Sequence, residues 1–73
     1  MNISFYVDEN DRDLMCKLEN ELYKIAEIYD GIHMEFETLD GLKEVFGNDC
    51  PLTEDILDKG MEFAEEQGYR VHY

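Results

Sequence analysis

Basic residues are scarce in this chain. Six Lys and Arg stand against 19 Asp and Glu, which leaves a formal charge of −13 and a pI near 4.2. A field of that sign repels nucleic acid and anionic membranes and attracts basic surfaces. Direct binding of nucleic acid and of membranes is therefore excluded. Proline occurs once, at Pro51, and cysteine twice, at Cys16 and Cys50. No CxxC exists, so the two thiols read as reduced and structural. No apolar run approaches a membrane span, and the start, MNISFYVDEN, has no basic leader. A cytoplasmic protein is the expectation. No Gly-rich phosphate loop, internal repeat or low-complexity tract is present, and no cofactor is expected.

What is present suffices to fold. Apolar residues make up 44% of the 73 and aromatics 12%, too many for a disordered chain. The length allows one domain, residues 1–73, with a single core.

Ile3, Phe5 and Val7 alternate with Asn2, Ser4 and Tyr6, which predicts a strand with one buried face. Asp8 to Asp11 then offers helix-start chemistry. Leu14, Leu18, Leu22, Ile25 and Tyr29 step by three and four, predicting a first long helix that runs to about Tyr29 and is ended by Gly31. Ile32, Met34 and Phe36 alternate with His33, Glu35 and Glu37, predicting a second strand over 32–39. Asp40-Gly41 admits two readings. A hairpin would turn Lys43 into the core, so a short helix at about 41–46 is preferred. Leu52 to Gln67 predicts a second long helix, capped by Thr53 and ended by Gly68. Tyr69 to Tyr73 alternates as a last strand.

These elements imply an α/β or α+β two-layer sandwich. A three-stranded mixed sheet would carry both long helices on one face, with a right-handed crossover between the first two strands. The hairpin alternative would give a four-stranded, ferredoxin-like sheet. The other sheet face would show Tyr6, His33, Glu35, Glu37, Arg70 and His72, open to solvent, to a partner or to a second copy in a homodimer.

The strongest functional signal is the helix at 52–67. At about 100° per residue, Glu54, Asp55, Asp58, Glu62, Glu65 and Glu66 fill an arc of roughly 120°. Only Lys59 intrudes. Acids four apart are spaced by about 6 Å along the axis, not far from the spacing of phosphates on one strand. The helix accepts like-charge repulsion between Asp58 and both Glu54 and Glu62, and between Glu62 and Glu66. Helping residues would be Glu35 and Glu37.

Other chemistry fails on inspection. Asp8-x-Asn10 with Glu19 resembles a calcium loop, but Arg12 occupies a ligand position and Asp13 the glycine position. His33 and His72 can approach each other on the open face, yet no pair among them and the cysteines has ligand spacing, so no metal is assigned. Nothing electropositive lies near Cys50 to make it a nucleophile.

In size and composition, though in no motif, the chain resembles the acidic decoys with which some phages block host DNA-binding proteins. The expectation is a non-catalytic, nucleic-acid-mimicking inhibitor of a basic DNA- or RNA-binding protein. The alternative is a regulatory or adaptor module that binds a protein through the open sheet face or the last strand.

Overall fold

A computed structural model describes residues 2–72. Four antiparallel strands come first: β1 (Ile3–Asp8), β2 (Asp13–Leu18), β3 (Glu21–Tyr29) and β4 (His33–Phe36). Two helices follow, α1 (Leu39–Phe46) and α2 (Glu54–Glu66). The chain then returns as β5 (Arg70–His72), parallel to β4. The sheet order is β1-β2-β3-β4-β5. The class is thus α+β, with a mixed sheet of five strands among the described residues. Tyr73, expected on the last strand, lies outside them.

The first long helix does not form. Residues 13–29 are the hairpin β2–β3 instead, and the expected right-handed crossover between the first two strands goes with it. The apolar spacing serves both structures. Leu14 and Leu18 are four apart, but Leu14, Cys16 and Leu18 also alternate, and all three are buried. Leu22, which the helical stripe would bury, is 50% exposed. A register shift opposite Leu14 and Met15 then places Ile25 and Ala26 together on the core side, both fully buried. Such a bulge disrupts strict alternation and hides the strand from a period-two search.

The turns carry little of the usual signature. Arg12 (φ 58), Glu19 (φ 55) and Asp30 (φ 52) hold the left-handed backbone that favours glycine. Asp30-Gly31, between β3 and β4, is the clearest turn signal in the sequence. Asp8 does cap backbone N–H groups, but those of a turn: its Oδ1 accepts from Asn10 N at 3.0 Å and Asp11 N at 3.2 Å.

The later elements follow the sequence more closely. The short helix is α1, capped by Thr38, with Gly41 N donating to Thr38 Oγ1. The ferredoxin-like alternative is thereby excluded. Ile32 is 44% exposed in the turn before β4, and Val45 is 75% exposed on α1, so neither joins the core. Thr53 caps α2 as expected, accepting from Ile56 N. At the other end Gly68 N donates to Glu65 O and Tyr69 N to Ala64 O, a Schellman closure with Gly68 at φ 94.

Both helices cover one sheet face. The core beneath them holds Leu14, Cys16, Leu18, Ile25, Ala26, Met34 and Phe36 from the sheet. Leu42, Leu52, Ile56, Leu57 and Ala64 complete it from the helical half. No polar or charged residue is buried among the described residues. The opposite sheet face stays bare. It carries Tyr6, Met15, Lys17, Lys24, Glu27, Tyr29, His33, Glu35, Arg70 and His72, as the strand registers require. Among the described residues, no helix is long and apolar enough to cross a membrane.

Candidate partner-binding surface

α2 is held on the sheet through its middle. Gly60 is buried where the helix comes closest to the strands: a Cβ there would stand 2.8 Å from Ile25 Cδ1 and 3.2 Å from Phe5 Cε1. Ile56, Leu57 and Ala64 bury on the same side, with Met61 and Phe63 partly covered. Helical geometry then forces Glu54, Asp55, Asp58, Glu62, Glu65 and Glu66 outward, and all six are exposed.

The electrostatics of this face are one-sided. Glu54 and Asp55 lie in the first turn, where the helix dipole favours them. Glu65 and Glu66 lie at the opposite end, where no basic residue accompanies them and the dipole opposes them. Among the described residues, the only ion pairs belong to Lys24, at 3.5 Å from Asp13 and 2.6 Å from Glu27. The Glu27 hydrogen bond, aided by Asp13, holds the Lys24 ammonium above its ordinary range. All three side chains are on the bare sheet face. The six acids of α2 have no ion-pair partner among the described residues.

The two helping residues separate. Glu37 leaves β4 beside α1 and lines one cleft of about 190 Å³ together with Glu54, Leu57 and Met61. It therefore extends the acidic face of α2. Glu35 pairs with Glu27 and His72 across the sheet and projects from the bare face, away from both helices. Five of the expected open-face residues are on that face; Glu37, beyond the end of β4, is not.

The bare face holds a group that sequence spacing did not assign. His33 Nδ1 and His72 Nε2 are 2.8 Å apart, so one nitrogen donates and the other accepts. Tyr29 stacks on His33 with centroids 5.3 Å apart and an interplanar angle of 19°, and lies 6.0 Å from His72. Alternation in the two strands was the available signal, since it places both histidines outward; only the β4–β5 register brings them together.

The cysteines stay apart from this group. Cys16 is fully buried in the core, and burial pushes its thiol up to about 11. Cys50 is half-buried in the loop after α1. A cleft of about 510 Å³ lies where the β1–β2 and β3–β4 turns meet Tyr69, and neither cysteine nor histidine lines it. No protein-family model, curated protein or solved structure matches this chain.

Proposed function

We propose that this protein is a non-catalytic acidic inhibitor that occupies the phosphate-binding surface of a basic DNA- or RNA-binding protein. The observation that carries the reading is the outer face of α2. Six exposed carboxylates stand on a closely packed helix with Lys59 as the one cation beside them and no ion pair to any of the six among the described residues, despite the repulsion and the unfavourable dipole at its C-terminal end. Glu37 continues that face past Glu54, whereas Glu35 plays no part in it.

The mechanism is competitive. Carboxylates take the places of phosphates opposite Lys and Arg, in a charge-assisted geometry that does not require base contacts. Binding by such a face weakens steeply with salt, as does the phosphate binding it replaces. Affinity capture from a lysate, eluted along a salt gradient and repeated with competing duplex DNA, tests the reading. Recovery of a basic nucleic-acid-binding protein that DNA displaces supports it. A partner that resists both salt and DNA overturns it.

One observation favours a second reading, an adaptor that docks on the bare sheet face. That face displays Tyr6, Leu22 and Tyr29, each at least 40% exposed. Binding there would be insensitive to salt and lost on Tyr6→Ala or Tyr29→Ala.

A further inference from the structure

We propose that His33 and His72 form a binding site for a divalent transition metal ion of the imidazole-preferring kind, Zn²⁺ being the representative, on the bare face of the sheet. The site is independent of the acidic face of α2, which lies across the sheet from it.

Two imidazole nitrogens already converge. His33 Nδ1 and His72 Nε2 approach to 2.8 Å, with the rings tilted by 39° and their centroids 4.9 Å apart. Zn–N bonds of about 2.0–2.1 Å at a tetrahedral angle place two ligand nitrogens roughly 3.3 Å apart. Inserting an ion between these two requires them to part by only about 0.5 Å. Side-chain torsions can supply that without moving either strand.

The fold pre-orders the ligands. Along the parallel pair, His33 is opposite Arg70 and Glu35 is opposite His72, so the histidines stand on adjacent strands, two residues apart in register. Tyr29, paired with His33 across β3–β4, stacks against that ring and limits its rotation. Both strands are paired along their length, so little backbone entropy is lost on binding. Arg70, Glu35 and Tyr29 share the face, where the Glu35 carboxylate offsets the Arg70 guanidinium, while Glu27 is held by Lys24 at 2.6 Å.

No third His, Cys, Asp or Glu joins the pair among the described residues. The ion would therefore keep open positions for water or for a donor from another molecule. Nitrogen ligands select ions such as Zn²⁺, Ni²⁺ and Cu²⁺ over Ca²⁺ and Mg²⁺, which seek oxygen. That preference separates this site from the diffuse attraction of cations to a chain of charge −13.

The test is calorimetric titration of the full chain with ZnCl₂ near neutral pH, beside the His33→Gln and His72→Gln variants. The wild type is expected to bind one equivalent, and each variant to lose at least about tenfold in affinity. Wild-type binding should also raise the melting temperature, since the ion ties β5 to β4. Both histidines are on the surface side, and circular dichroism of the variants reports whether the fold is kept. Ca²⁺ serves as the probe of the carboxylates and should bind wild type and variants alike. Zn²⁺ binding that is equal in all three proteins would assign the ion to surface carboxylates and overturn the proposal. So would the absence of one-to-one binding in the wild type.

Discussion

Gly60 of α2 faces Ile25 of β3 so closely that a Cβ on the glycine would come within 2.8 Å of the isoleucine Cδ1. Ile25 is itself fully buried, next to Ala26 at the bulge. The acidic face on the far side of α2 is therefore aimed by this contact.

Replacing Gly60 with alanine sets two effects against each other. Helix propensity favours alanine by about 1 kcal/mol. Overpacking against Ile25, Phe5 and Phe36, which hem the site at 2.8–3.3 Å, costs about 1–3 kcal/mol. We expect Gly60→Ala to be destabilising by roughly 1 kcal/mol in urea unfolding. A stabilised variant would mean that α2 can lift from the sheet freely.

Reversal of charge on α2 probes the inhibitor reading directly. Asp58→Lys, Glu62→Lys and Glu65→Lys together should abolish partner binding while the fold persists, because all three are exposed. A control that reverses Glu9, Asp11 and Glu19, exposed at the turns, changes net charge equally and should weaken binding far less. Equal loss in both variants would point to overall charge, not to this helix.

Salt should stabilise the protein. With charge −13 and ion pairs only around Lys24 among the described residues, screening relieves more repulsion than attraction. The melting temperature is expected to rise by several degrees between low and moderate ionic strength, measured by scanning calorimetry. A flat or falling trend would contradict this balance.

The buried thiol of Cys16 makes an alkaline prediction. Its folded value is pushed up to about 11 from an ordinary 9.0, so the unfolded chain loses this proton first. The stabilising contribution is complete below about pH 9 and is lost as pH rises toward 11, by roughly 2–3 kcal/mol. Cys16→Ala should unfold with a shallower loss of stability over that window. In the native protein at pH 8, a thiol reagent should modify half-buried Cys50 and spare Cys16.

The later half of the fold was legible because local chemistry and tertiary packing agree there. Thr53, Gly68 and the apolar face of α2 all specify one helix, and Leu42 with Phe46 specifies the other. The earlier half was not. Leu14, Leu18 and Leu22 satisfy a helical stripe, Glu19 and Arg12 conceal turns that glycine would have announced, and the Ile25–Ala26 bulge breaks alternation. Long-range pairing with β1 and β4 overrode the local preference, as strand formation commonly does.

For the site, the sequence by itself determined that one helix carries a face of nearly single sign, because helical periodicity alone sorts Glu54 through Glu66 to one side. It equally determined the outward alternation of His33 and His72. Only the tertiary structure decided the rest. The closure of β5 beside β4 brought the two histidines to 2.8 Å, and the sheet between Glu35 and α2 divided one expected surface into two. Both outcomes depend on which strands pair and in what register. Those are long-range quantities that no local spacing of residues encodes.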